Sequence, residues 1–199
     1  MIGLSIDTIE VGDRAEIVRR ASDADIAEFV DAVGDYNPVH SDPEYAAGTV
    51  FKKPIAPGIW TAGLISAVIG TRLPGPGAIY LSQSLKFLRP VMFDDVITAR
   101  VEVLETNREK NRMRLRTICT NQHGEEVLTG EALVMPSRTR VEYARPRHRG
   151  GLLAMWTLAP WAWATHGAAL WAILGFSTLA LGRGATGRNG HPPATCPSS

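Results

Sequence analysis

The sequence predicts an α+β fold in which one antiparallel sheet bends around a single apolar helix, with a carboxy-terminal tail outside the fold. Three observations carry this. Residues 59–69 are apolar on every side, with Thr61 and Ser66 the only hydroxyls and no charge, which is the pattern of a helix enclosed by other structure. Four later stretches alternate or run β-branched between turn signals, as strands with one wet face do. The strands follow the helices as a block, which favours an antiparallel sheet over a parallel one.

Taken in order, Arg14 to Val18 reads as a short strand. Ser22 with Asp25 three residues on is a helix-start signature, and Ile26, Phe29, Val30 and Val33 then fall at i, i+3, i+4 and i+7. One amphipathic helix over residues 23–33 follows, its apolar face turned inward. Asp42-Pro43 is a capping residue followed by proline at the first helical position, so a short helix carries Tyr45 and Ala46. Pro54-Ile55-Ala56-Pro57-Gly58 makes a rigid approach to the apolar helix, and Leu73-Pro74-Gly75-Pro76-Gly77 turns the chain out of it. The strands are expected as a meander over Ala78 to Phe87, Val96 to Glu105, Arg112 to Thr120 and Glu126 to Met135. In the third, Met113, Leu115, Thr117 and Cys119 share one face and Arg112, Arg114 and Arg116 the other. A single sheet leaves edges and a half-covered helix, so pairing with a second copy is expected.

Charge divides the 199 residues into two kinds of sequence. The total is 21 Lys+Arg against 20 Asp+Glu, but residues 1–137 hold 14 basic and 19 acidic side chains. Residues 138–199 hold seven arginines, no lysine and one acid, Glu142. An acidic first part excludes a nucleic-acid surface, which needs an excess of Lys and Arg. Two cysteines, Cys119 and Cys196, one in each part, do not make a disulfide scaffold and point to a reducing compartment. The stretch from Met1 to Val11 has acids at Asp7 and Glu10 and lacks the basic and apolar regions of a signal peptide, so the first part is expected in the cytoplasm.

The chemistry-bearing stretch is Asp35-Tyr36-Asn37-Pro38-Val39-His40, directly after the amphipathic helix. Asp35 and His40 lie across an Asn-Pro turn that folds the chain back, so a carboxylate and an imidazole can meet at one point. Such a pair can hold a water and move protons between carbon and oxygen. The plainer reading makes Asp35 a turn cap and His40 a satisfied surface histidine. A second candidate is Gly58, whose N–H stands uncovered at the positive end of a helix, where a carbonyl gaining negative charge is stabilised. Its plainer reading is a helix entry with glycine for fit.

From about Val11 to Met135, the motif Asp35-x-Asn37-Pro38-x-His40, then Asp42-Pro43, Ala46-Ala47, Pro54-Ile55, Gly58 and the run Ile79-Tyr80-Leu81-Ser82-Gln83-Ser84-Leu85-Lys86-Phe87 with Arg89-Pro90, resemble the (R)-specific enoyl-CoA hydratases of the MaoC-like group. The resemblance implies a single hot-dog domain over residues 1–137 that hydrates trans-2-enoyl-CoA to (R)-3-hydroxyacyl-CoA for polyhydroxyalkanoate or fatty-acid metabolism. It implies no metal or redox cofactor, CoA being part of the substrate, and a homodimer. Asp35 and His40 position the attacking water, the division of acid and base between them being open, and Gly58 N–H holds the enolate oxygen. Ser66, two helical turns after Gly58, lies near the pair in the family or bonds back to its own helix. Asn37 shapes the motif loop. Lys86 and Arg89 are candidates for the CoA phosphates or are solvated strand-end charges. One departure stands out: Pro57-Gly58 replaces the His-Gly of many relatives, which bears on loop mobility and chain-length preference.

Two other functions fit the same residues, a hot-dog acyl-CoA thioesterase and a non-catalytic acyl-CoA-binding subunit. In the tail, arginines from Arg138 to Arg149 precede residues 150–181, which carry no charge. Trp161 to Leu181 is long enough for a helix across a hydrocarbon core of about 30 Å. The tail is therefore read either as a membrane anchor or as an incidental extension, and membrane contact is expected through it alone.

Overall fold

A computed structural model describes residues 1–144. Two short strands, β1 (Ile2–Gly3) and β2 (Arg14–Arg20), lead into helix α1 (Asp23–Val33), then α2 (Pro43–Gly48) and α3 (Gly58–Thr71). Strands β3 (Ile79–Phe87), β4 (Val96–Asn107), β5 (Arg112–Thr120) and β6 (Glu126–Met135) follow, and β7 (Val141–Glu142) comes last. Strands β2 to β6 form one antiparallel sheet in the order β2-β4-β5-β6-β3, wrapped around α3 in the hot-dog arrangement.

The helix caps act as the sequence indicates. Ser22 Oγ accepts from Asp25 N at 3.2 Å, and Asp42 Oδ1 accepts from Glu44 N and Tyr45 N at 2.9 and 3.0 Å. Arg19, on β2, grips the Asp25 carboxylate through both Nε and Nη2, joining the sheet edge to the start of α1. That contact holds the Asp25 carboxyl below its ordinary range against the opposing cost of burial, with a further lowering from the Ser22 hydroxyl. Along α1, Ile26 and Val30 are buried, but Val33 turns out to solvent in the last turn.

The core lies between α3 and the inner sheet face. Ile97, Ala99, Val101 and Val103 of β4 and Met113, Leu115, Thr117 and Cys119 of β5 are buried against Trp60, Ile65, Val68 and Ile69 of α3. Each fully buried aliphatic side chain contributes about 2 kcal/mol of transfer free energy. Arg100, Arg114 and Arg116 point outward and pair with Glu16, Glu105 and Glu102. The helix is covered on one side only: Ile59, Gly63, Ser66 and Gly70 are exposed.

Two expectations need correction. The four long strands are not a full meander, because β3 pairs with β6 and not with β4. The segment between them, residues 88–95, crosses from one sheet edge toward the other. On the way it binds Ala56 N through Val91 O (2.8 Å), and it exchanges Asp94 N–Ala21 O and Ala21 N–Asp95 O bonds beside β2. The folded chain also continues past Ser137, since Val141–Glu142 pairs with Ile2–Gly3. The readings of the apolar run at 150–181 fall on residues 145–199, outside the described residues. Among the described residues no helix is long and apolar enough to cross a membrane.

Candidate active site

Helix α1 ends at Gly34, whose φ of 74° is the left-handed conformation that glycine tolerates best. Gly34 N and Asp35 N both donate to Val30 O, at 2.8 and 3.2 Å, so Asp35 leaves the helix in a fixed direction. Asn37 Oδ1 then accepts from Val39 N at 3.4 Å and caps a tight 3-10 turn over Pro38–His40, closed by His40 N donating to Asn37 O at 3.0 Å. This local geometry brings Asp35 Oδ2 to 3.7 Å from His40 Nε2. The His40 side chain is 10% exposed and that of Asp35 44%.

The second ring nitrogen decides what the pair can do. His40 Nδ1 lies 2.7 Å from the Ile55 carbonyl oxygen. A carbonyl only accepts, so Nδ1 carries the proton, and in the neutral ring Nε2 presents a lone pair toward Asp35. Two acceptors share no hydrogen between them, but at 3.7 Å apart one water can donate a hydrogen to each. The arrangement is one that can hold and polarise a water molecule.

Ile55 ties this pair to the start of α3. Its N–H donates to Val39 O at 3.2 Å while its carbonyl takes the His40 proton, and Ala56 N is anchored to Val91 O. Three residues after Ile55, Gly58 opens α3, with Pro57 before it supplying no side-chain cap. The first N–H groups of a helix have no partner within it, and Gly58 is exposed. A Cβ on Gly58 would stand 2.8 Å from the Phe87 ring, so glycine also makes room for β3.

Gly58 lines a cleft of about 440 Å³ with Ile55, Phe51, Thr61, Phe87 and Val91. His40 forms part of a neighbouring cleft of about 430 Å³, walled by Ile26, Val30, Tyr36, Pro54 and Phe93. The Ile55 strap stands between the two, lining the first and bonded to the histidine of the second.

The remaining candidates separate. Ser66 lies two turns along α3 on the uncovered flank and, among the described residues, makes no hydrogen bond back to its helix; Thr71, by contrast, bonds Ala67 O at 2.6 Å. Lys86 and Arg89 do not form one cationic site. Strand alternation sends Lys86 to the opposite face from Phe87, where it shares a depression with Arg116 and Glu131. Arg89 does line the Gly58 cleft, but its guanidinium is engaged by Glu126 O at 3.0 Å and Glu125 Oε1 at 3.6 Å.

Sequence reading missed the Ile55 carbonyl, because a backbone acceptor leaves no side-chain signal. It also missed a part-buried polar chain on the inner sheet face. Tyr80 Oη donates to Gln83 Oε1, and Gln83 Nε2 donates to Thr117 Oγ1 at 3.0 Å. Gly130 keeps a lane open for that amide, since a Cβ there would stand 3.0 Å from Gln83 Nε2 and drive into the Ser84 carbonyl oxygen. Burial, then the nearby Cys119, pushes the Tyr80 hydroxyl up to about 12, and burial pushes the Cys119 thiol up to about 12, so both stay neutral.

The chain matches the MaoC like domain over residues 8–126. It is 48% identical over 133 residues to an (R)-specific enoyl-CoA hydratase of Rhodospirillum rubrum, covering 66% of this chain and 92% of that protein. It is 45% identical over 150 residues to a 3-hydroxybutyryl-CoA dehydratase of Methylorubrum extorquens, covering 74% and 94%. Among solved structures, the unliganded R-hydratase PhaJ1 of Pseudomonas aeruginosa superimposes with a TM-score of 0.68 at 44% identity, covering 73% of this chain and 94% of that one. The (R)-hydratase of A. caviae involved in PHA biosynthesis gives 0.62 at 42%, covering 64% and 96%.

Proposed function

We propose that this chain, which belongs to the MaoC-like domain family, is an (R)-specific enoyl-CoA hydratase that adds water reversibly to trans-2-enoyl-CoA, with Asp35 and His40 as the reacting pair and Gly58 N–H as the oxyanion donor. The observation that carries the site assignment is the His40 Nδ1–Ile55 O bond, which leaves Nε2 as an acceptor opposite the Asp35 carboxylate.

Conjugation to the thioester makes C3 of the substrate electrophilic. The water held between Asp35 and His40 loses a proton to the pair as its oxygen bonds to C3, and the electrons of the C2–C3 double bond move onto the thioester oxygen. Gly58 N–H, at the positive end of α3, stabilises that charge. The pair then returns a proton to C2, so atoms and charge balance over the cycle. Two coupled groups this close act as one acid-base unit. Dehydration is the same path in reverse, and the (R)-3-hydroxyacyl-CoA product suits polyester synthesis or fatty-acid metabolism.

The protein works as a homodimer in the cytoplasm. Support for the dimer is the edge strand β3, with Ile79, Leu81 and Phe87 exposed beside the uncovered flank of α3 at Ile59. The single buried free thiol of the described residues, Cys119, suits a reducing compartment. The assay is loss of the conjugated thioester absorbance of crotonyl-CoA, with free thiol followed in parallel. Hydration without thiol release is expected; thiol release with little hydration would instead identify a thioesterase.

A further inference from the structure

Charge is spread unevenly between the two clefts. Of the 19 acidic side chains in residues 1–137, 11 lie at or before Glu44 and 8 at or after Asp94, so residues 45–93 carry none. The same stretch carries five cations, Lys52, Lys53, Arg72, Lys86 and Arg89. Every residue lining the Gly58 cleft except Val127 comes from it, and the lining holds no carboxylate. The His40 cleft is the opposite case, with Asp23 and Asp31 in its wall. A polyanion is therefore received at the Gly58 cleft and repelled from the other.

Two of the five cations stand at its lip. Lys52 and Lys53 lie between Phe51 and Ile55, which both line the cleft, and both lysines are exposed. Among the described residues neither makes an ion pair, whereas Arg89 is held by Glu125 and by Glu126 O. Arg72 is at the far end of α3, and Lys86 is on the other face of its strand from Phe87. The lip is also bent against its own preference. Thr49 Oγ1 accepts from Phe51 N at 3.2 Å, and Lys52 then takes a φ of 63°. The other described non-glycine residues with positive φ are Asp94 and Asn111, types that tolerate it, while lysine adopts it at a cost. Lys52 Nζ reaches Ala47 O at 3.5 Å, which leaves two of its three donors for a ligand.

We propose that Lys52 and Lys53 receive the phosphates of the CoA nucleotide, while the pantetheine arm passes Phe51 and Ile59 to bring the thioester to Gly58. This rests on the hydratase reading above and names how its site selects a CoA thioester.

The test uses the full chain and two thioesters, crotonyl-CoA and crotonyl-pantetheine, which has the same reacting group and no phosphate. Lys52→Gln combined with Lys53→Gln removes the charges and leaves polar stems. KM for crotonyl-CoA should rise on the order of tenfold with kcat unchanged, and both constants for crotonyl-pantetheine should stay at their wild-type values. Raising the ionic strength should raise KM for crotonyl-CoA in wild type and have little effect in the double variant. Lys52→Arg combined with Lys53→Arg should keep KM near wild type. An unchanged KM for crotonyl-CoA in the glutamine variant overturns the proposal, and so does an equal loss on both thioesters, which would make the lysines part of the shape of the cleft. A wild type that hydrates neither thioester defeats the hydratase reading by itself. Calorimetric titration of CoA then decides the lysines: weaker binding by the glutamine variant upholds their role, and equal binding, or none by either protein, overturns it.

Discussion

The sheet and the segment from Gly34 to Gly58 are held together by different means. In β4, β5 and β6 nearly every inward side chain is buried, and long ladders, shifted only at Val103/Glu105 and at Cys119/Thr120, fix the register. The 34–58 segment buries little beyond His40, Ala46, Ala56 and Pro57. Its course is set by individual bonds: Asn37 onto Val39, Asp42 onto α2, Ile55 onto Val39 and His40, Ala56 onto Val91. The sheet's inner face supplies stability. The segment carries the proposed reacting groups and depends on the sheet for its anchor. A substitution in one region should therefore damage a different property from a substitution in the other.

The largest expected effect is on chemistry. Asp35→Asn removes the half-exposed carboxylate and leaves the backbone bonds around it, so hydration of crotonyl-CoA should fall by roughly 10²–10⁴. Thermal stability should stay within about 0.5 kcal/mol of wild type. His40→Gln should lose as much activity and also about 1–2 kcal/mol of stability, because the bond to Ile55 O is made in a buried place. Equal melting of the two variants would show that the strap does not depend on the imidazole.

Gly130→Ala is the converse case. The added Cβ would meet the Ser84 carbonyl and the Gln83 amide, forcing β3 away from β6. About 2–3 kcal/mol of destabilisation is expected in a denaturant titration. Turnover per folded molecule should stay near wild type, since the Asp35–His40 geometry is set by residues 30–55. A fall in kcat with unchanged stability would erase the division between the two regions.

What could be read from the sequence follows the same division. Period-2 alternation showed which face of β5 is buried, and spacing showed α1, because burial imposes a period on side chains. Period does not name a strand's partner, so β3 beside β6 was not legible. Nor were β1 and β7, since two-residue strands have no period. In the segment, Asp35, Asn37 and His40 were visible as residue types at a meaningful spacing. The Ile55 carbonyl that fixes the histidine tautomer was not, because it belongs to the backbone. Ser66 was singled out by helical spacing and by the family resemblance, and Lys86 as a charge near a strand end; the flank or face each occupies is a property of the assembled sheet.

The smallest expected effect lies at the joint between the regions, where Arg19 of β2 holds Asp25 of α1 at 2.6 and 3.0 Å. The folded state depresses the Asp25 carboxyl, so the stabilisation is present above the carboxyl's unfolded value and is lost as pH falls through its folded value. Arg19 is more than half exposed, and solvent screening limits an ion pair of this kind to about 0.5 kcal/mol. Arg19→Ala should therefore unfold at slightly lower denaturant concentration than wild type at pH 7, and the two curves should converge as the pH is lowered and Asp25 takes up a proton. A gap that persisted unchanged into acid would mean that Arg19 acts through the packing of its stem on the sheet, and the joint would then be apolar, with its charge incidental.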